Sequence, residues 1–149
     1  MNIKEYQSSA GEPSLLPEEH RPARPLLLYE SNCPFCRRMA ALVARLDRDE
    51  QIAMIPYDHP DVARFVVFLT EDQVRDSWRL YLPDGRRMTK GQAGTTLLEL
   101  LGPTRLVGRA LRRLRLEWLV GLVDKAVSRM RPLLSRIMSK DTEAVYRRL

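Results

Sequence analysis

Pro25-Leu26-Leu27-Leu28-Tyr29-Glu30-Ser31-Asn32-Cys33-Pro34-Phe35-Cys36 decides the fold. The short apolar run 25–29 has the character of a strand buried on both faces, and it stops at the turn-forming Ser31-Asn32. Beyond the cysteines, Met39, Leu42, Val43 and Leu46 recur at helical spacing, with Arg37, Arg38, Arg45 and Arg48 on other faces. A strand therefore gives way to a helix at the two cysteines. Pro34 suits the first helical turn, where its missing N–H is not needed and its fixed φ favours the helix.

Downstream, Gln51-Ile52-Ala53-Met54-Ile55-Pro56 reads as a second strand, followed by the polar loop Tyr57-Asp58-His59-Pro60. Asp61 then starts a helix whose buried stripe is Val62, Phe65, Val66 and Leu69. Trp78-Arg79-Leu80-Tyr81-Leu82 alternates and ends in Pro83-Asp84-Gly85, and Arg86-Arg87-Met88-Thr89 runs back as the second arm of a hairpin. Leu97, Leu98, Leu100 and Leu101 mark another helix, ended by Gly102-Pro103. The order β-α-β-α-β-β-α makes this an α/β fold. Strands joined through a helix are parallel with a right-handed crossover, and the hairpin adds antiparallel strands, giving a mixed four-stranded sheet with flanking helices.

Past Pro103 the pattern is helical. Val107, Ala110, Leu111, Leu114 and Trp118 form one apolar stripe, and Leu119, Val123, Ala126, Val127 and Met130 a second, both expected to pack on the front domain. Pro132 should interrupt or kink the helix beyond it. The chain is thus divided into a flexible arm over 1–24, an α/β domain over 25–102 and a helical, basic extension over 103–149.

A length of 149 residues suits one domain, and 44% hydrophobic with 30% charged residues excludes both a disordered chain and a membrane-embedded one. Two cysteines cannot staple a fold of this size. No apolar run reaches the roughly 18 residues that cross a bilayer, since Glu117 interrupts the longest candidate. The first 25 residues lack the apolar core of a secretory signal, so a cytoplasmic protein is expected. The net charge of +6 is unevenly placed: residues 1–104 carry −2 and residues 105–149 carry +8. Attraction to polyanions therefore does not explain the front domain.

Cys33 and Cys36 sit three apart at the strand-to-helix junction, on one helical face. The thiolate is the nucleophile in disulfide exchange, and a cysteine at a helix start meets unpaired amide N–H groups and the positive end of the helix dipole, both of which favour S⁻. Cys33 is read as the attacking sulfur. Cys36, one turn in and less exposed, is placed to resolve a mixed disulfide between Cys33 and a substrate. Arg37 adds nearby positive charge. Because parallel strands share their C-terminal edge, His59 is an auxiliary candidate as a proton shuttle, and Glu30 as acceptor of the Cys36 proton. Two other readings stay open: a zinc half-site, for which only His20 and His59 remain as further soft or borderline ligands, and inert core cysteines.

Leu27 to Cys36 resembles the opening of the thiol-disulfide oxidoreductase DCC family, whose members carry Tyr-Asp-Gly-x-Cys-x-x-Cys after the first strand of a thioredoxin-like domain. The likeness continues through Pro83-Asp84-Gly85 and Gly91 and covers about residues 25–130. It implies a thioredoxin-like fold and assigns Cys33 and Cys36 as the redox pair. Glu30 replaces the family's Asp and Ser31 its Gly, a position where glycine would allow a positive φ. Cys-Pro-Phe-Cys is also similar to glutaredoxin active sites, which implies glutathione or another thiol as electron donor; separately, no bound cofactor or metal is expected. Where thioredoxins and glutaredoxins place a proline before the hairpin strand, this chain has Arg75-Asp76-Ser77.

The expected partners are protein or small-molecule thiols and disulfides. Nucleic acid is not expected, for want of aromatic-basic interleaving, a groove-reading motif or a phosphate-binding glycine loop. The Arg-rich tail supports a competing class, a non-catalytic interaction module with vestigial cysteines that binds a partner or an anionic membrane surface peripherally.

Overall fold

The computed structural model describes residues 15–66, 78–137 and 144–147. Its centre is the apolar run 25–29, a strand buried on both faces. β1 (Leu26–Tyr29) and β2 (Ala53–Pro56) are buried at every residue and pair in parallel, Leu26 opposite Ala53 and Tyr29 opposite Pro56. β3 (Arg79–Tyr81) runs antiparallel on the other side of β1, and β4 (Arg87–Thr89) antiparallel to β3, giving the sheet order β2-β1-β3-β4. The hairpin turns on Gly85, whose φ of +89° suits glycine, while Leu82 donates to the Arg86 carbonyl at 2.9 Å.

Alternation along β1 divides the core. Leu27 and Tyr29 join Val43, Met54, Leu80 and Leu97 on one face, beneath α1 (Pro34–Leu46) and α3 (Lys90–Leu100). Leu26 and Leu28 join Ile55, Phe65 and Tyr81 on the other, covered by α2 (Ala63–Val66) and by Leu16. Asp61 does not begin the α2 region. A 3-10 turn at Pro60–Val62 does, capped by His59, because proline is favoured at the first helical position. Leu69 lies outside the described residues.

Residues 15–24 are not a free arm: Leu16 is fully buried, donates its N–H to the Gly85 carbonyl at 2.7 Å and accepts from Arg21. The far end of the chain also returns. Arg147 exchanges both backbone hydrogen bonds with Met54 at the β2 edge, and its guanidinium holds the buried carboxylate of Asp47 at 3.0 Å. Asp47 in turn accepts the N–H groups of Gln51 and Ile52, fixing the crossover from α1 to β2.

The basic region is two helices, α4 (Arg105–Arg113) and α5 (Glu117–Ile137), separated at Arg115, which has a φ of +54°. α5 continues through Pro132 rather than stopping there, without the one N–H bond that proline cannot donate. Both helices pack on α3. Their apolar stripes do so only in part, with Leu111, Leu119 and Val127 half-buried. Val107, Leu114, Trp118, Val123 and Met130 are each at least half exposed. The face of α4 turned to α3 instead carries Gly108, which lies against Leu98 and Glu99, and Arg112, which bridges to Glu99 at 2.9 Å. Close backbone approach at a glycine and an ion pair thus oriented the helix.

Candidate active site at the first helix

Cys33 is the residue at which extended backbone ends, with φ −95° and ψ 111°, and it caps α1 through its side chain: Sγ accepts the Cys36 N–H at 3.3 Å. Its carbonyl receives the Arg37 N–H at 3.0 Å, so the first helical turn is closed by both ends of one residue. Pro34 occupies the first helical position, as its chemistry requires. Both cysteines are free thiols. A thiolate gains more from an aligned amide and the helix dipole than a neutral thiol does.

The exposure order reverses the expectation. Cys33 is buried, with 9% of its surface exposed, and Cys36 is only half-buried against the core. As the cap, Cys33 turns its sulfur back over the first turn, whereas Cys36 packs against the core and keeps part of its surface exposed.

The turn ahead of the cap is held from two sides. The Glu30 carboxylate accepts the Asn32 N–H at 3.0 Å, the i to i+2 contact that Asp makes in an Asx turn, reached here with one more methylene. Arg37 donates to the Ser31 carbonyl at 2.7 Å. Neither Ser31 nor Asn32 has a positive φ, so this turn does not require the family's glycine. Ser31 is buried and its hydroxyl finds no hydrogen-bond partner among the described residues. Glu30 and Arg37 thus brace the loop; the Glu30 carboxylate makes no hydrogen bond to Cys36.

The parallel pair does bring the Tyr57 loop to the edge where Cys33 sits, since Tyr57 donates its N–H to the Tyr29 carbonyl at 3.0 Å. His59, however, hydrogen-bonds to neither thiol. Its Nδ1 accepts the Asp61 N–H at 3.2 Å, and its ring stacks on Tyr146 with centroids 4.2 Å apart. Burial pushes the Tyr29 hydroxyl up to about 12, and that hydroxyl donates to the Val145 carbonyl at 2.6 Å. Burial likewise pushes Tyr57 far above the usual phenol range, against the attraction of Arg79. Val145 and Tyr146 had no signal in the sequence, because they arrive from more than 80 residues away through tertiary contacts alone.

Among the described residues no three His, Cys, Asp or Glu side chains gather to hold a metal. A cavity lined by Leu46, Asp47, Gln51, Leu100 and Arg105 lies at the opposite end of α1 from the cysteines. Arg75-Asp76-Ser77 lie outside the described residues.

A family model described as DCC1-like thiol-disulfide oxidoreductase matches residues 27–137. The chain belongs to that family. The matched span begins inside β1, takes in both cysteines and reaches the end of α5. With the mixed four-stranded sheet and its flanking helices, this makes the fold thioredoxin-like. Family membership supports a general redox role for the pair of neighbouring cysteines. Searches of curated proteins and of solved structures gave no match.

Proposed function

We propose that the chain is a thiol-disulfide oxidoreductase in which Cys33 attacks and Cys36 resolves. The observation that carries this reading is the Cys36 N–H directed at the Cys33 sulfur, at 3.3 Å, at the start of α1. The Cys33 thiolate displaces one sulfur of a substrate disulfide, which leaves as a thiolate and takes a proton from solvent. A mixed disulfide remains. Cys36 then loses its proton, attacks Cys33 Sγ and releases the second substrate sulfur, leaving a 33–36 disulfide: the substrate has gained two electrons and the dithiol has lost them. An external thiol of the glutathione class restores the pair by the reverse exchange, with no bound cofactor. Substrates are protein or small-molecule disulfides. Glu30, Pro34 and Arg37 act by holding the loop and first turn that aim the sulfur.

Exposure favours the opposite assignment, with Cys36 meeting the substrate first. One experiment separates the two. Each single serine variant is incubated with oxidised glutathione and analysed by mass spectrometry under non-reducing conditions. Glutathione trapped on Cys33 in Cys36→Ser, with little on Cys36 in Cys33→Ser, supports the proposed roles; the reverse pattern exchanges them. Equal inertness of both variants and of the wild type refutes exchange and leaves an interaction module.

A further inference from the structure

The outward faces of α4 and α5 are the largest feature that thiol chemistry leaves unexplained. On α5, Leu122, Met130, Leu133 and Ile137 follow one another at helical spacing, each at least half exposed, with Val123 beside them. From Leu122 to Ile137 this stripe runs about 23 Å along the helix axis. Exposed Lys125, Arg129 and Arg136 follow its edge. Trp118, 61% exposed, stands at its head. On α4 the same design recurs, with Leu106 77% exposed and Val107 and Leu114 beside it, flanked by exposed Arg109 and Arg113.

We propose that these two faces dock on an anionic lipid surface, lying in the headgroup layer. Apolar residues and a tryptophan on one arc, with arginines bordering it, are what a helix in the interfacial plane needs: the apolar arc enters the acyl boundary and the guanidinium groups meet lipid phosphates. Charge selects the occupant. Residues 105–137 hold nine Lys and Arg against two Asp and Glu, so a second copy of the chain would set one cationic rim against another. The helices lie on the surface rather than cross it, because no helix among the described residues is long and apolar enough to span a bilayer. The proposal does not rest on thiol exchange.

The test uses the full chain and sedimentation with vesicles of phosphatidylcholine alone or mixed with phosphatidylserine. Binding to the mixed vesicles is expected to exceed binding to the neutral ones by about tenfold or more and to weaken with added salt. Tryptophan emission should shift to the blue on binding, and Trp118→Phe should abolish the shift. Two exposed pairs are changed in turn: Arg129→Glu with Arg136→Glu, and Leu133→Ser with Ile137→Ser. Each pair should lower vesicle binding about tenfold or more while leaving the circular dichroism unchanged. The Cys33→Ser, Cys36→Ser protein should bind as the wild type does, which separates failure of this proposal from failure of the redox reading. Absence of binding, equal binding to neutral vesicles, or a lipid-free dimer that protects Trp118 from quenching would each overturn it.

Discussion

Replacing Cys33 by alanine and by serine separates its structural contribution from its chemical one. Sγ is the side-chain acceptor at the start of α1, receiving the Cys36 N–H at 3.3 Å. Alanine removes that acceptor, and loss of a helix cap costs about 1 kcal/mol, within a range of about 0.5–2. Serine keeps the geometry and supplies a better acceptor in the same place. The reduced Cys33→Ala protein should therefore be less stable than Cys33→Ser by about 1 kcal/mol, or about 3 °C in Tm for a chain of this size. Urea unfolding under reducing conditions, followed by far-UV circular dichroism, reads the difference, and glutathione exchange measured in parallel should be lost in both. If alanine and serine proteins unfold within about 0.3 kcal/mol of each other, the sulfur is not held by the first-turn amide. The physical basis for an anionic Cys33 then falls with it.

Two further outcomes rest on the buried polar contacts. Asp47→Ala leaves the Arg147 guanidinium without its buried carboxylate and the Gln51 and Ile52 N–H groups without their acceptor, so a loss of about 3 kcal/mol is expected in urea unfolding; a loss below about 1 kcal/mol would show that the strap at the β2 edge does not hold the crossover. Tyr29 is protonated in the fold up to about pH 12 against an ordinary value of 10.0, so its contribution is complete below pH 10.0 and is lost as pH rises toward 12. Stability should fall across that window by up to about 1.4 kcal/mol per pH unit from this group, and Tyr29→Phe should flatten the slope; an unchanged slope would remove the buried phenol as its cause.

How much of the fold was legible before tertiary structure depends on the range of the forces involved. The apolar run ending at Ser31-Asn32, the helical recurrence after Cys36 and Asp84-Gly85 between alternating residues are local signals, set by side-chain period and backbone sterics. They placed β1, α1 and the hairpin, and with them both cysteines at a helix start. The helix start expected at Asp61 became a 3-10 turn at Pro60–Val62 leading into α2 at Ala63, because His59 Nδ1, rather than the aspartate, took the capping role.

Periodicity says that a helix has an apolar face, not what covers it. For α4 and α5 the same stripes admit a helix packed on the domain or one turned away; on α4 the approach of Gly108 to Glu99 and the Arg112 ion pair leave Leu106 and Leu114 outward, and on α5 Val120 lies against Gly94 while Leu122 and Leu133 stay exposed. Likewise, residue type placed two sulfurs one turn apart, but rotation of Cys33 onto its own first turn determined which of them water reaches. Leu16 beneath the hairpin and Arg147 against Asp47 belong to the same class. Their partners are distant in the chain, so no local pattern encodes the contact; burial of apolar surface and of a paired charge brings them together only once the sheet exists.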